Sequence, residues 1–529
     1  MQRVYRIHPA IGVARLGNSP DEYFVGPESP RVIPPLVAAD APPDRHATRR
    51  DAEGRIKRQG QHFRIFEHTL GDAGDVTNSR EITLDDADIT WRVHLANRKA
   101  AALAFNGRKQ RNSGVPDEQR KKLVIDAGEQ SAAGASTPRK RLQGSFMDTA
   151  VVLGDLLTDS KGRLIVLGGF GNSESVPPGA PLDDYANNDH WHDDVSDGPV
   201  RATLRLKDGS ADIEADAAWV IVAPPDYAPE IQNVITLWDI VADMTARLRP
   251  KSEVADKTPV SFTRDIAPIL RRVSNMHWVS EVSAGGHAPH SPGHFIARMA
   301  NLASNAPGEP NARDVVFQRL RNPLTGEGDM PFLPAKLVKE GAATATLTSV
   351  QYAKMERWAR GDFTADWTGA EPQPIPYDDL PVSERPNALD RAPLEASVGA
   401  GRFPGIEAGN IMLERSTYEP ARPFRVNQHL APGTLTARMA VPWQADFRDC
   451  EFEEEIGMDW WPGQRPCDVY RMVNGSLERV HWVPQTEEWI DEKTRRFAMR
   501  RDWSGLGFIL RTDVKGEEKF VEQGRTLRE

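Results

Sequence analysis

The chain has 529 residues and a formal net charge of −10 at pH 7, with no long basic run. That length supports two or three domains and a large buried interior, and the acidic balance excludes nucleic acid and anionic membranes as the main partner. The sequence therefore predicts a small molecule or another protein as the partner.

The N-terminal residues and the two cysteines bear on the compartment of the protein. Residues 1–9 lack the apolar core of a signal peptide, and no later stretch reaches the roughly 18 apolar residues of a membrane span. We expect synthesis in the cytoplasm, with the final compartment left open. The two cysteines, Cys450 and Cys467, exclude a disulfide framework and a Cys-rich zinc module. Each cysteine therefore needs its own explanation.

Short apolar runs separated by turn residues characterise the first half of the chain. Residues 162–169, 200–206 and 218–225 are predicted to be strands. Residues 41–63 are polar and mix both charges, which predicts a surface excursion. We therefore predict a β-rich N-terminal domain over residues 1–245.

Helical periodicity replaces this pattern after residue 245. Residues 263–270 and 347–358 carry apolar side chains at three- and four-residue spacing. Closely spaced prolines from Pro372 to Pro386 predict an irregular connector and a boundary near residue 370. The predicted fold class is α+β, with a helical middle segment at 246–369 and a β-rich C-terminal segment at 370–529.

The residues best suited to chemistry lie in the segment 442–466, PWQADFRDCEFEEEIGMDWWPGQRP. Cys450 precedes the pair Trp460 and Trp461 by ten and eleven residues, and Asp446 precedes Cys450 by four. A tryptophan that carries two carbonyl oxygens is an electrophile for primary amines, and a cysteine thioether can fix the ring. Proton removal from the substrate carbon also needs a base within reach, a role that Asp446 suits. The segment therefore predicts a tryptophylquinone site.

Each of these residues also has an ordinary explanation. A Trp–Trp pair is more often a core or interface pair, and a lone cysteine is usually a small buried apolar residue. Arg448 and Arg465 are candidates for holding a substrate carboxylate, with salt bridges as the alternative. His429 is a candidate for orienting substrate or water, with simple exposure as the alternative.

Six stretches occur in an order typical of one enzyme family. They are IHPAIGVARLGNSPDEYFVGPE at 7–28, LGGFG at 167–171, DDVSDGPV at 193–200, APPDYAP at 223–229, FPGIE at 403–407 and the segment 442–466. Together they resemble the LodA/GoxA-like family of L-amino-acid oxidases, which includes lysine ε-oxidase and glycine oxidase and carries cysteine tryptophylquinone. The resemblance covers nearly the whole chain.

The resemblance implies a role for each residue of the segment. It makes Cys450 the cross-linking cysteine and Asp446 the catalytic aspartate, which in the family also takes part in forming the cofactor. It places the quinone on Trp461 or Trp460, of which Trp461 is preferred. It further implies a flavoprotein partner that completes maturation.

The chain departs from the family in two respects. The well-known oxidases of the family are longer and have a longer segment between the cysteine and the tryptophan. This difference affects the assignment of the tryptophan, the identity of the substrate and the access to the site. In addition, Cys467 directly follows the WWPGQRP run. Cys467 is either an alternative thiol for the cross-link or an indication that the protein does not form the quinone.

Two stretches of the sequence contain several histidines. Asn188–Asp194, NDHWHDD, has two histidines and three carboxylates, but turn formation is preferred to a metal site. His277, His287, His290 and His294 lie in a Gly/Pro-rich stretch, for which a flexible loop is preferred to a lid. The stretch GGFGN lacks the Lys-Ser/Thr pair of phosphate-binding loops, which excludes a nucleotide function.

We therefore predict a quinoprotein oxidase of amines or amino acids. The substrate amine attacks the quinone, Asp446 takes the α-proton, hydrolysis releases an aldehyde or 2-oxo acid, and oxygen restores the quinone with release of ammonia and hydrogen peroxide. No metal is assigned, and a homo-oligomer is expected. The alternatives are a family member without mature quinone that serves as a binding or scaffold protein, and a metal-dependent oxygenase using His190 and His192.

Overall fold

A computed structural model describes residues 2–32, 49–72, 74–104, 109–209, 211–248, 259–306, 310–320, 322–323, 347–399, 405–449 and 463–527. Within them the chain has a β-rich N-terminal region, a helical middle and further strands toward the C-terminus, so the predicted α+β fold class is confirmed. No helix among these residues is long and apolar enough to cross a membrane.

The N-terminal region contains seventeen of the described strands. They are β1 Gln2–His8, β2 Ile11–Arg15, β3 Tyr23–Val25, β4 Arg58–Leu70, β5 Val76–Ile82, β6 Ala87–Val93, β7 Ala96–Asn97, β8 Ile125–Asp126, β9 Gln130–Ala133, β10 Lys140–Phe146, β11 Thr149–Thr158, β12 Leu164–Gly168, β13 Ser173–Ser175, β14 Trp191–Asp193, β15 Ser196–Leu206, β16 Ile213–Glu214 and β17 Ala218–Ala223. The three predicted strands correspond to β12, β15 and β17.

Fifteen of these strands form one large sheet, and β13 pairs with β14 outside it. The order along the sheet is β10-β11-β12-β4-β2-β17-β15-β6-β9. Strands β1, β3 and β5 pair with β4, and the short strands β7, β8 and β16 extend the region around β15. Most neighbours are antiparallel, but β17 pairs in parallel with β2.

The parallel pair of β2 and β17 lies at the centre of the sheet. Every residue of β17 is buried, as expected for a strand that is covered on both faces. The register places Val220 opposite Gly12. A Cβ atom at Gly12 would lie 2.5 Å from Cγ of Gln61 and 2.6 Å from Cζ of Phe63, so only glycine fits there.

The middle of the chain is helical. Its helices are α1 Leu237–Leu248, α2 Ala267–Asn275, α3 Glu281–His287, α4 Met299–Leu302, α5 Pro310–Gln318 and α6 Ser349–Ala359, and a π-helical turn at Phe262–Ile266 leads into α2.

A hydrophobic cluster of its own holds this helical region together. Its members come from residues 260–363 and include Phe262, Leu270, Met355 and Trp358. The indole Nε1 of Trp358 donates to the carbonyl oxygen of Leu302 at 2.9 Å, which links α6 to α4. The region therefore packs around a core distinct from that of the sheet.

The C-terminal segment contains the remaining elements. They are helices α7 Arg385–Glu395, α8 Trp443–Asp449, α9 Glu487–Ile490 and α10 Arg495–Asp502, and strands β18 Tyr418–Glu419, β19 Arg422–Val426, β20 Asp468–Val473, β21 Ser476–His481, β22 Phe508–Val514 and β23 Glu517–Gln523. The strands form three two-stranded hairpins. Trp443, Phe447, Trp482 and Phe508 join the same hydrophobic cluster as the strands of the large sheet. The boundaries near residues 245 and 370 stay predictions.

The prediction of a surface excursion over 41–63 is wrong for the part that the structure describes. Arg49 and Arg50 are buried, and β4 begins at Arg58, whose side chain is fully buried. Arg58 Nη1 lies 2.6 Å from Oδ2 of Asp155, whose side chain is 1% exposed. In the sequence, arginines that are buried and paired in this way look the same as arginines exposed to solvent.

The proline-rich connector ends earlier than the sequence predicts. Helix α7 begins at Arg385 and has Pro386 in its first turn. A proline is tolerated there because the amide that it lacks has no partner within the helix. Its fixed φ angle also suits the start of a helix.

A cluster around His62 links the large sheet to the loop that carries Glu28. His62 Nδ1 lies 3.0 Å from Oε1 of Glu28, and its Nε2 lies 3.3 Å from Oδ2 of Asp159. Burial favours the neutral imidazole, but the interactions with Asp159 and Glu28 outweigh it and raise the pKa of His62. Burial opposes ionisation of Glu28 as well, yet His62 and Arg64 lower the pKa of Glu28 to about 2.

This cluster predicts a pH-dependent contribution to stability. The charged His62 stabilises the fold fully below its ordinary pKa of 6.5, and this contribution is lost as the pH rises through the raised pKa. The contribution of Glu28 is present above its ordinary value of 4.5 and is lost as the pH falls toward about 2. We expect His62→Gln to lower the free energy of unfolding most between these two ordinary values, by about 2 kcal/mol or more.

Urea unfolding of the wild type and His62→Gln at pH 5.5 and pH 9 measures this difference. The gap between the two proteins should be clearly smaller at pH 9. A gap of equal size at both pH values would contradict the assignment of the charge to His62.

Candidate active site

Helix α8 carries Asp446 and is buried along its length. The side chains from Trp443 to Arg448 are all buried, and Asp446 is 3% exposed. Helices that are buried on all sides are usually apolar, but α8 contains Gln444, Asp446 and Arg448. Buried polar groups need hydrogen-bond partners, so the surroundings of α8 define the candidate site.

The N-terminal end of α8 is anchored to Asp193 of β14. Oδ2 of Asp193 accepts from the backbone amide of Trp443 and from Nζ of Lys99, both at 2.9 Å. Nδ2 of Asn97 donates to Oδ1 of the same carboxylate at 2.9 Å. The side chains of Lys99 and Asp193 are both fully buried. Burial lowers the pKa of Lys99, and the adjacent carboxylate opposes that shift.

Asp194 points to a different partner, the glycine-containing loop after β12. Its Oδ2 accepts from the amides of Gly171 and Asn172 at 2.8 and 3.1 Å. Burial and the neighbouring Asp193 raise the pKa of Asp194 to about 7, although these amide bonds oppose the shift. Gln444 of α8 reaches the same loop, since its Nε2 donates to the carbonyl oxygen of Gly171 at 2.9 Å. The two adjacent aspartates thus fix a helix and a loop.

The two histidines of the stretch 188–194 differ in their exposure to solvent. His190 is exposed, whereas His192 is buried with its ring centroid 4.9 Å from that of Phe146. Burial lowers the pKa of His192. Among the residues that the structure describes, no group of three or more His, Cys, Asp or Glu side chains is arranged to hold a metal ion.

The C-terminal end of α8 is held by three arginines. Asp449 lies 3.0 Å from Nε of Arg495 and 2.6 Å from Nε of Arg496, both on α10. Arg465 donates from Nε to the carbonyl oxygen of Phe447 at 2.5 Å and from Nη2 to that of Arg448 at 3.3 Å. Cations are favourable at this end of a helix, where the last carbonyl groups lack partners within it.

The arginines that were predicted to bind substrate therefore have structural contacts. Arg465 is 1% exposed and its guanidinium lies 5.4 Å from the ring centroid of Trp482. Arg448 donates from Nε to the carbonyl oxygen of Trp489 at 2.7 Å. A role of either residue in binding a substrate carboxylate stays a prediction.

His429 lies in the loop after β19 and is exposed. Its backbone amide donates to Oδ1 of Asn427 at 3.0 Å. This contact shapes the loop and does not involve the imidazole. The predicted role of His429 in orienting substrate or water stays a prediction as well.

Cys450, Trp460 and Trp461 lie outside the described residues, but the structure describes both ends of their segment. Helix α8 ends at Asp449, directly before Cys450. At the other end, the amide of Gly463 donates to Oδ1 of Asn233 at 3.2 Å. A Cβ atom at Gly463 would lie 2.8 Å from the carbonyl oxygen of Ile231, so glycine is required for this close approach.

Tyr227 connects the two ends of this segment. Its ring centroid lies 6.4 Å from that of Phe447 on α8, and its amide donates to the carbonyl oxygen of Gln464 at 3.1 Å. Its hydroxyl donates to the carbonyl oxygen of Trp503 at 2.6 Å. Burial raises the pKa of Tyr227 far above its ordinary value, so the phenol stays neutral. Tyr227 therefore packs between α8 and the chain at Gln464.

Cys467, the second cysteine, is buried four residues beyond Gly463. Nη1 of Arg465 lies 3.6 Å from its sulfur atom. Its backbone amide donates to the carbonyl oxygen of Val279 at 3.0 Å, which ties the C-terminal segment to the helical middle.

A cavity of about 230 Å³, here called the charged cavity, has Asp226 in its wall. Burial raises the pKa of Asp226 to about 6, although Arg15 and Arg49 oppose the shift. The ionisable residues that line the cavity are Arg15, Arg31, Arg49, Asp226, Glu230, Arg271, Arg272, Glu371, Glu395 and Arg511.

The sequence predicts a role for Asp446 and includes Asp193 only in the histidine-containing stretch 188–194, and it gives no role to Lys99, Asp226 or Tyr227. Asp193, Asp226 and Tyr227 lie in the family-like stretches 193–200 and 223–229, which is the signal that could have marked them. Lys99 lies in none of the six stretches. Its role depends on a contact over 94 residues of sequence, which only the fold reveals.

Comparison with known proteins agrees with the six stretches. Residues 8–222 match the family model of the L-lysine epsilon oxidase N-terminal domain, LodA_N, and residues 327–467 match that of the C-terminal domain, LodA_C. The L-lysine 6-oxidase of Marinomonas mediterranea is 30% identical over 552 residues, covering 84% of this chain and 71% of that protein.

Solved structures of L-Lys epsilon-oxidase from the same organism share the fold. One, described as the Schiff base intermediate with L-Lys, has a TM-score of 0.74 and 25% identity, and the match covers 99% of this chain and 95% of that one. Another has the same TM-score and coverage at 24% identity. With matches to both family models and a relative at 30% identity, the chain belongs to the L-lysine ε-oxidase (LodA) family.

Proposed function

We propose that this chain oxidises the amino group of an amino acid through a cysteine tryptophylquinone formed from Cys450 and Trp461 or Trp460. Family membership makes the chain an amino-acid oxidase, and the quinone and the products are part of the proposal. In the net reaction the substrate, oxygen and water give an aldehyde or 2-oxo acid, ammonia and hydrogen peroxide. Two electrons and two protons leave the substrate and reduce oxygen to the peroxide.

The buried position of Asp446 is the observation that carries the proposal. A carboxylate on a helix that is anchored at both ends has a fixed place, four residues before the predicted cross-linking cysteine. Trp461 precedes Gln464 by three residues, and three residues span at most about 11 Å. Since Tyr227 contacts both Phe447 and Gln464, the cysteine and the tryptophans are attached to neighbouring anchors.

In this proposal Asp446 acts together with a tryptophylquinone. When present, the quinone supplies an electrophilic carbonyl for the amine and accepts two electrons. The relative that was solved as a Schiff base intermediate with L-Lys supports a carbonyl of this kind, because a Schiff base forms between an amine and a carbonyl.

Asp446 performs the proton transfer in this proposal. Its carboxylate takes the proton from the substrate carbon that bears the nitrogen, as general bases do when they lie within hydrogen-bond reach. The burial of α8 excludes water from around this carboxylate, which strengthens its interaction with a charged substrate. The anchors at Asp193 and Arg496 hold the helix so that the carboxylate keeps its place.

Intact mass and visible absorption test the proposal after co-expression with a flavoprotein maturation partner. We expect a mass gain of two oxygen atoms with a loss of four hydrogen atoms, together with quinone absorption. Cys450→Ala should lose the absorption, whereas Cys467→Ala should retain it. An unmodified mass and a colourless protein would move the function to a binding or scaffold role.

The role of Asp446 predicts a kinetic effect of a minimal substitution. Asp446→Asn removes the base while keeping the size of the side chain, and we expect kcat to fall by about 10²-fold to 10⁴-fold. Asp212→Asn is the matched control, because Asp212 forms an exposed pair with Arg205 on the surface of the sheet. Hydrogen peroxide release per unit of quinone absorption measures both, because the family resemblance also gives Asp446 a part in forming the cofactor. Activity of Asp446→Asn within about threefold of the control would assign the proton transfer to another group.

The anchor at Asp193 predicts a coupled effect on stability and quinone formation. Asp193→Asn leaves the buried ammonium of Lys99 without its counter-charge, so we expect a loss of about 3 kcal/mol in the free energy of unfolding. Quinone absorption per protein should fall with it, because α8 loses a charged acceptor at its first amide. The double variant Lys99→Met with Asp193→Asn removes both charges and should regain much of the stability. Equal stability of Asp193→Asn and wild type would contradict the anchor.

A further inference from the structure

Two buried histidines, His8 of β1 and His68 of β4, belong to a hydrogen-bonded chain that connects the sheet to α7. His8 Nδ1 lies 2.9 Å from Oδ1 of Asp390 on α7, and its Nε2 lies 3.2 Å from Nε2 of His68. His68 Nδ1 lies 2.9 Å from Oγ of Ser79, its cross-strand partner on β5. The chain therefore joins α7 to three strands.

Asp390 determines where the hydrogen of His8 lies. Its Oδ1 also accepts from the backbone amide of Ala10 at 2.6 Å. Burial opposes ionisation of Asp390, but the nearby His8 and Arg425 outweigh it and lower the pKa of Asp390. A carboxylate only accepts hydrogen bonds, so Nδ1 of His8 carries a hydrogen that it donates to Asp390.

The contact between the two Nε2 atoms has room for one hydrogen. When both rings are neutral, Nε2 of His68 donates to Nε2 of His8, and Nδ1 of His68 accepts from the hydroxyl of Ser79. When His8 alone is charged, its Nε2 donates to His68, whose Nδ1 then donates to Ser79. When both rings are charged, two N–H groups face each other at 3.2 Å and the bond is lost. The pair therefore accommodates one added proton but not two.

Apolar side chains surround the pair, and α7 covers it. His8 and His68 are 5% and 3% exposed, and the ring centroid of Phe66 lies 5.8 and 6.2 Å from those of the two imidazoles. Phe66 packs in one cluster with Tyr377 and with Leu389 of α7. A buried charge needs water or a counter-charge, and water reaches the pair when α7 moves away.

The charged groups around the pair also disfavour a second proton. Burial and the nearby positive charges lower the pKa of His68 to about 3, although Asp390 opposes the shift. Arg425 of β19 is buried and donates to the carbonyl oxygen of Ile7 at 2.8 Å, and its charge acts on His68. The other charged side chains around the pair form ion pairs, which are Arg6 and Arg422 with Asp216, and Arg64 with Glu28 and Glu81.

We propose that the His8–His68 pair makes the docking of α7 on the N-terminal sheet sensitive to acid. Helix α7 stays docked while the two rings share at most one added proton, and it leaves the sheet when both are charged, because the second buried charge requires water. The C-terminal end of α7 is fixed separately, since Arg15 donates to the carbonyl oxygen of Ala396 at 2.8 Å. Release therefore begins at the N-terminal end of the helix, and it does not depend on the proposed quinone.

Docking of α7 should weaken as the pH falls. The released state takes up a proton on His68 below its ordinary pKa of 6.5, whereas the docked state excludes that proton down to about 3. The contribution of the neutral His68 is therefore fully present above pH 6.5 and is lost progressively toward pH 3. Each pH unit in this window favours release by about tenfold. The charge on His62 acts in the opposite direction, because its contribution is fully present below pH 6.5.

Amide hydrogen exchange of the full-length wild type at pH 7.5 and pH 4.5, corrected for the intrinsic effect of pH on exchange, tests the proposal. We expect the protection factors of residues 385–395 to fall by at least about tenfold at pH 4.5, and those of the central strand β17 to change by less than about threefold. Equal protection of α7 at the two pH values would overturn the proposal. An equal fall in β17 would overturn it as well, because the whole fold would then open.

Two variants assign the response to the contact between the rings. His68→Gln keeps a donor near the position of Nε2 but takes up no proton, so the protection of α7 should change by less than about threefold between the two pH values. Ser79→Ala is the matched control, because it removes a partner of His68 and leaves both rings in place, and it should retain the fall of the wild type. An acid response that persists in His68→Gln, or that disappears in Ser79→Ala, would contradict the assignment.

Exchange of the histidine C2 hydrogens in heavy water follows His68 in the wild type without any substitution. Mass spectrometry of the exchanged peptides should show no titration of His68 between pH 5 and pH 8. A His68 that titrates at its ordinary pKa of 6.5 while α7 stays protected would overturn the proposal.

Discussion

The buried ion pair of Lys99 and Asp193 is the interaction on which the candidate active site depends. Two charges without any solvent exposure are costly unless their hydrogen bonds are satisfied. Here the carboxylate also accepts from Asn97 and from the first amide of α8, so that one side chain joins the N-terminal sheet to a C-terminal helix. Helix α8 has only seven residues, so the position of Asp446 is set by this junction and not by the helix itself.

Polar pairing of the same kind recurs wherever the chain brings distant segments together. Arg58 and Asp155 are paired within the sheet, and Arg15 and Glu407 join the sheet to the C-terminal segment. Burial of the apolar core supplies most of the favourable free energy of folding, but it is non-directional. These buried pairs, in contrast, form in only one arrangement of the segments. An active site assembled from three parts of a chain needs that kind of constraint.

Local periodicity was enough to predict the strands β12, β15 and β17 and the helices α2 and α6, because their apolar faces are visible in short windows. The segment 49–63 was mispredicted because buried, paired arginines have the composition of a solvated loop. Asp446 is a candidate base on its spacing to Cys450 and on the family resemblance, and its role stays a prediction. The charged cavity could not be predicted from the sequence, since its wall combines residues from Arg15 to Arg511 that only the completed fold brings together.

The parallel pairing of β2 with β17 also constrains when the protein can fold. Residues 11–15 can pair with β17 only after residues 219–223 have been synthesised. Trp443, the first residue of α8, lies 250 residues after Asp193, to which its amide donates. Contacts over such separations form late, because the loop must close before the contact is gained. During synthesis on the ribosome, β2 therefore pairs with β17 only after most of the sheet has been made, and α8 reaches Asp193 only after most of the chain has been made. The candidate active site is therefore completed only after nearly the whole polypeptide has been synthesised.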